Sequence, residues 1–154
     1  MSKEMLLMLH PTFGILAMIA AIWVFVDTLN VSDANVGRIR SMGVLCAVLM
    51  WLTYIVGGYW YVVNYGVDKA IIKAGPWGFS HSFFMETKEH LFFLVLMLAT
   101  LLVIAVQSNL ARLSGARNLV LWVSGLVVLS ALAMEGAGAF ISMGVKVALL
   151  AKTL

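Results

Sequence analysis

Charged residues, proline and cysteine are all scarce in this chain of 154 residues. Only 11% of the residues are charged and 63% are hydrophobic, whereas a soluble domain carries about 25% charged residues. So short and apolar a chain cannot hide its apolar surface in a soluble fold, and we expect lipid as its solvent. The scattered net charge of +3 disfavours nucleic-acid binding and is typical of Lys and Arg flanking membrane spans. The single cysteine, Cys46, excludes an intrachain disulfide.

Four apolar segments approach the roughly 20 residues that a transmembrane helix needs. They predict helices over about 5–28, 38–65, 84–111 and 118–150. Because only two prolines occur, long uninterrupted helices are allowed. The sequence therefore predicts an all-α, multi-pass integral membrane protein. It would form one domain over 1–154, an up-down-up-down four-helix bundle with both termini on the same side.

One long connection is expected, over 66–79, between the second and third helices. It contains the turn signal Gly75-Pro76-Trp77-Gly78. The stretch 67–73 is amphipathic and predicts a short separate helix on the membrane surface. The connection around Gly115 is short, so the last two helices should be antiparallel neighbours.

All three histidines fall on the side of the predicted bundle that holds the termini. His10 lies below the start of the first apolar run, where an imidazole needs a partner or a ligand. His90 opens the apolar run of the third helix, and His81 comes just before that helix. The ordinary alternative for His10 is a ring satisfied by a neighbouring hydroxyl or carbonyl group.

Two histidines on different helices at similar depth predict a bis-histidine haem b. His10 and His90 would be its axial ligands, and their surroundings would tune its potential. Glycines let membrane helices approach closely, and they also leave room for a flat macrocycle. The other cofactor-binding residues are predicted to be Gly14 and Gly57, which make room for the ring, and Tyr61 and Lys88, which meet its propionates.

In its four-helix arrangement and its paired His10 and His90, the chain resembles the small four-helix transmembrane b-type cytochromes and the cytochrome b anchor subunits of respiratory complexes. The resemblance is architectural. It implies an electron-transfer subunit rather than a complete enzyme, working with quinone, with other subunits of a redox complex or as a homo-oligomer. Three histidines in all exclude a second bis-histidine haem of the kind that many members of that group contain.

A second hypothesis uses nearly the same side chains to bind a non-haem transition metal. Nitrogen and oxygen ligands at one membrane face suit a first-row ion. The candidate ligands are His10, His81, Glu86, Glu89 and His90. Glu86 and His90 are four residues apart, close enough on a helix to share one ion.

Glu135 lies well within the fourth predicted helix. A carboxyl group inside the membrane is by default a functional hypothesis. It would take up a proton at a quinone site or form a hydrogen bond to a ligating histidine. The alternative is a protonated carboxyl bonded to a neighbouring helix.

A third hypothesis requires no chemistry. Small four-helix membrane proteins also serve as assembly or scaffold subunits of larger complexes, and the glycine-rich fourth helix would then be a contact surface. A proton-coupled transporter built on Glu135 is less well supported, because no pair of broken helices or repeat occurs.

Overall fold

The computed structural model describes residues 3–153, and throughout that range the regular structure is helical. The long helices are α1 (Lys3–Leu29), α2 (Val36–Ala74), α3 (Glu86–Val106) and α4 (Ser114–Leu150). A π-helical segment, Ser80–Met85, runs directly into α3. Counting that segment with α3, four helices are long and apolar enough to cross a membrane. This is the make-up of a multi-pass integral membrane protein.

The second helix is the main departure from the predicted boundaries. It continues to Ala74 instead of ending at 65, so the separate surface helix predicted over 67–73 is wrong. Gly66 alone costs a helix only about 1 kcal/mol, and the true stop is Gly75-Pro76. At about 1.5 Å per residue, the 39 residues of α2 reach well beyond the apolar core of a bilayer, which is roughly 30 Å thick.

The third helix also differs from its predicted range of 84–111. The π-helical segment starts it earlier, at Ser80, and α3 ends at Val106, just before the polar run Gln107-Ser108-Asn109. These polar residues favour turns because their side chains compete for the backbone.

Helices α2 and α4 contact each other across the bundle, and α1 and α3 lie on either side of them. Within residues 3–153, α1 and α3 each contact α2 and α4 but do not contact each other. Buried apolar side chains fill the half of the bundle that holds the second half of α1 and the first half of α2. Small residues of α1 (Ala17, Ala20 and Ala21) lie at its centre with almost no exposure. Large apolar side chains cover the outer surface, as contact with lipid requires.

A second buried cluster lies at the opposite end of the bundle. Its core is Tyr65, Ile72, Met85 and Ile141, contributed by α2, the π-helical segment and α4. At the same end of the bundle, the backbone of Gly75 lies close to α4. A methyl group built on Gly75 would overlap Ala148.

Polar contacts tie the helix ends together. Arg38 donates two hydrogen bonds to Asp27, of 2.6 and 2.8 Å, where α1 gives way to α2. Arg40 donates to the carbonyl of Val106 at 3.2 Å, at the end of α3. At the opposite end of α1, Lys3 Nζ lies 3.6 Å from Asp68 Oδ1.

Candidate functional site

A cavity of about 740 Å³ lies between the two buried clusters and is walled by all four helices. This volume falls within the usual range for small-molecule and cofactor pockets. Most of the wall is apolar or aromatic, and Tyr54 and Phe92 stack in it with ring centroids 5.0 Å apart. The ionisable side chains in the wall are His10, Tyr54, Tyr61, Lys88, Glu89 and Glu135.

His10 and Thr53 hold each other across the interface of α1 and α2. His10 Nδ1 lies 2.9 Å from the Thr53 carbonyl oxygen, and Thr53 Oγ1 donates to the His10 carbonyl at 3.1 Å. Because a carbonyl oxygen only accepts, Nδ1 must carry the proton, and the neutral ring has its lone pair on Nε2. Among residues 3–153 no hydrogen bond reaches Nε2.

Three glycines make room for the three polar groups that reach into the cavity from other helices. A methyl group on Gly57 would overlap the His10 ring, and one on Gly14 would overlap Glu135 Oε1. A methyl on Gly138 would lie 3.2 Å from Lys88 Nζ. Each polar side chain therefore packs against the bare backbone of a neighbouring helix. The space beside Gly14 and Gly57, which the sequence predicted to admit a macrocycle, is filled by Glu135 and His10.

The charged groups of the cavity lie close enough to influence one another. Lys88 interacts electrostatically with Glu135 and with His10. On the α2 side, the Tyr61 hydroxyl donates to Glu89 Oε1 at 2.5 Å. The cavity thus combines an imidazole with a free lone pair, an amine, and two carboxyl groups in surroundings of low polarity.

His90 lies on the outside of the bundle. Its side chain is exposed, its Nδ1 lies 2.6 Å from the Glu86 carbonyl, and it borders a shallow outer groove. The face of α3 that lines the cavity carries Lys88 and Phe92, and at 100° per residue His90 points the opposite way from Lys88. The structure therefore does not bring His10 and His90 to one cavity.

His81 occupies a third place, in the buried cluster beyond the cavity. It is only 2% exposed, its Nδ1 lies 3.0 Å from the Tyr65 hydroxyl, and its Nε2 lies 3.6 Å from Glu86 Oε1. Across the described part of the chain, no three His, Cys, Asp or Glu side chains converge as a metal site would require. The predicted five-residue metal cluster is not formed.

The other predicted site residues, Gly14, Gly57, Tyr61, Lys88 and Glu135, all line the cavity with His10. Sequence reasoning missed Thr53, whose carbonyl orients the imidazole. A hydroxyl residue inside a membrane helix was an available signal for Thr53. A backbone acceptor leaves no signal in the sequence.

No protein-family model, curated protein or solved structure matches this chain. The inference of function therefore starts from the cavity and its side chains.

Proposed function

We propose that the chain is a membrane electron-transfer subunit that holds one haem b in the central cavity, with His10 as an axial ligand. The observation that carries the proposal is the hydrogen bond from His10 Nδ1 to the Thr53 carbonyl. Ligating histidines almost always donate their second nitrogen to a carbonyl or carboxylate, which orients the ring. The same bond disfavours His10 as a donor to a quinone carbonyl, because the neutral ring has no proton left on Nε2.

A pairing of His10 with His90 across one ring does not fit, since His90 lies outside the cavity. Three methionines, Met50, Met85 and Met134, do line the cavity, and a thioether is an established partner for an axial histidine. One of these sulfurs would therefore hold the iron together with His10.

One further residue of the wall fits the proposed cofactor. Lys88 provides a cation for a propionate, whereas the Tyr61 hydroxyl already donates to Glu89 and the space beside Gly14 and Gly57 is filled by Glu135 and His10. A bound haem supplies reversible one-electron chemistry. Glu135, which interacts with Lys88, takes up a proton or a hydrogen bond when the charge in the cavity changes.

A one-electron carrier in the membrane needs partners that deliver and remove the electron. The apolar outer surface is suited to lipid-soluble quinone and to other membrane subunits of a redox complex, or to a second copy of the chain. We propose alternating crossings with both termini on one side. The contact of Lys3 with Asp68 supports this, because it joins the start of α1 to the far end of α2.

The test is the absorption spectrum of the purified full-length protein, oxidised and reduced. We expect a red protein with a Soret band and an α-band that appears on reduction. His10→Ala should abolish both bands, whereas the matched variant His90→Ala should retain them.

Other outcomes separate the alternatives. Loss of colour in both variants would restore the bis-histidine hypothesis and contradict the single-histidine assignment. A colourless protein that contains a transition metal by elemental analysis would favour the non-haem hypothesis. A colourless, metal-free protein that copurifies with larger subunits would favour the scaffold.

A further inference from the structure

We propose that the central cavity takes up an uncharged, single-tailed carbonyl lipid from the bilayer through a window between α2 and α3. The window is framed by Tyr54, Gly58 and Tyr61 of α2 and by Glu89 and Phe92 of α3, all of which line the cavity. The proposal goes beyond the haem and does not depend on which cofactor the cavity holds.

Two side-chain contacts between α2 and α3 mark the two ends of the window. At one end, Tyr54 stacks on Phe92 with ring centroids 5.0 Å apart. At the other end, the Tyr61 hydroxyl donates to Glu89 Oε1 at 2.5 Å. Tyr61 comes seven residues after Tyr54, so at about 100° per residue the two side chains leave α2 on the same face. That face is therefore the one that α2 turns toward α3.

Gly58 leaves the stretch between these two contacts open. It comes four residues after Tyr54 and lies on the same face of α2. A methyl group built on Gly58 would meet nothing within 4 Å, whereas one on the preceding Gly57 would overlap the His10 ring. Because Gly58 lines the cavity and no side chain covers it, the wall of the cavity has a gap at this position.

The outer rim of the window is apolar. Val62, four residues after Gly58, lines the cavity and is nevertheless 80% exposed. Phe93, whose ring centroid lies 6.2 Å from that of Tyr54, is 58% exposed. Both residues belong to helices that are long and apolar enough to span the membrane. The window therefore connects the cavity with acyl chains rather than with water.

The chemistry of the window selects one class of occupant. An apolar tail suits the rim, and a carbonyl group suits the Tyr54 hydroxyl, which lines the cavity and forms no hydrogen bond within residues 3–153. A charged headgroup would lose its hydration on entry, which is costly. Tyr54 and Tyr61 are only about 10 Å apart along the helix axis, and their rings narrow this space to the width of one chain. A lipid-soluble quinone and a monoacylglycerol both meet these requirements.

Photolabelling of the full-length protein in lipid nanodiscs tests the window. The probe is a ketone with a decyl tail that carries a diazirine beside its carbonyl group, and mass spectrometry locates the label. We expect labelling to concentrate in 54–62 and 89–93. Gly58→Leu should lower it roughly tenfold, because the new side chain fills the opening. The matched control is Gly136→Leu, since Gly136 also has nothing within 4 Å but lies outside the described wall of the cavity. It should label like the parent protein.

A second variant and a competition experiment test the nature of the head. Tyr54→Phe keeps the ring and should lower ketone labelling roughly three- to tenfold, the effect of losing one hydrogen bond. It should leave labelling by an alkane diazirine of the same length unchanged. Decyl-benzoquinone and monodecanoylglycerol are then added as competitors, and the stronger competitor identifies the source of the carbonyl group.

Several results would overturn the proposal. They are undiminished labelling in Gly58→Leu, an equal loss in Gly136→Leu, and label spread evenly over the lipid-facing residues of all four helices. Undiminished ketone labelling in Tyr54→Phe, competition by neither compound, or equal competition by the decanoate anion would refute the uncharged carbonyl head.

A different pair of variants serves if Gly58→Leu does not fold. Val62→Trp places bulk at the rim and carries the same expectation, and Val63→Trp is its control, at a position that is 59% exposed and outside the described wall. Labelling does not require haem. A colourless protein labelled at the window would refute the haem and keep the window, and a red protein without that label would do the reverse.

Discussion

His10 and Thr53 exchange two hydrogen bonds across the interface of α1 and α2. The imidazole Nδ1 donates to the Thr53 carbonyl at 2.9 Å, and the Thr53 hydroxyl donates to the His10 carbonyl at 3.1 Å. In lipid neither partner has water as an alternative, so the contact both joins the helices and sets the ring orientation. This pair of hydrogen bonds thus fixes the orientation of the His10 ring on which the proposed ligation depends.

Thr53→Ala should weaken the pairing of α1 and α2 without removing the ligand. Only the hydroxyl bond is lost, because the carbonyl that accepts from His10 belongs to the backbone. We expect a loss of about 0.6 kcal/mol in the free energy of unfolding, the typical value for such bonds in membrane proteins. Unfolding in mixed detergent micelles measures it.

Two matched variants accompany that measurement. Thr53→Ser restores the hydroxyl and should recover most of the loss. Thr12→Ala removes a hydroxyl that bonds only within its own helix, to Met8, and should have a smaller effect on helix pairing. Equal losses in Thr53→Ala and Thr12→Ala would contradict a special role for Thr53.

Gly57→Ala should displace the His10 ring, whereas Gly58→Ala should be tolerated. A methyl on Gly57 would overlap ring atoms of His10, and a methyl on Gly58 meets nothing within 4 Å. Overpacking of this kind costs about 1–3 kcal/mol, while alanine at the open position can add up to about 1 kcal/mol of helix stability. Thermal unfolding and the absorption spectrum, measured together, check both effects. Equal unfolding temperatures and equal spectra for the two variants would contradict the close packing of the His10 ring against Gly57.

Arg40→Met should loosen the end of α3. Arg40 donates to the carbonyls of Val106 and Gln107, at 3.2 and 3.3 Å, which no later turn of helix satisfies. Loss of about 1.4 kcal/mol of local stability corresponds to roughly tenfold faster amide exchange. Hydrogen exchange followed by mass spectrometry over 107–110 measures it. Arg112→Met, at an exposed position, serves as the control and should leave the rates unchanged.

Cysteine labelling tests the proposed topology. On a Cys46→Ala background, Lys152→Cys and Phe79→Cys should react with an impermeant thiol reagent from the same side of sealed vesicles. Gly115→Cys should react only from the other side, since one crossing separates it from each of them under the proposed topology. Labelling of all three from one side would refute alternating crossings.

Much of the fold could be read from the sequence because the length of an apolar run is a direct measure of what a bilayer demands. The four helices and the interior positions of His10 and Glu135 followed from that reasoning. The end of α2 did not, because an amphipathic stretch after a span is compatible both with a separate surface helix and with a continuing one.

By itself, the sequence determined that the chain is helical and apolar enough to cross a membrane four times. It also placed the three histidines toward the same end of the predicted bundle. Only the tertiary structure decided which face of each helix looks inward, and so paired His10 with Lys88 and Glu135 in one cavity and turned His90 outward. The reason is the solvent. In water an apolar stripe marks the buried face of a helix, but lipid accepts apolar side chains on every face, so interhelical packing sets the rotation.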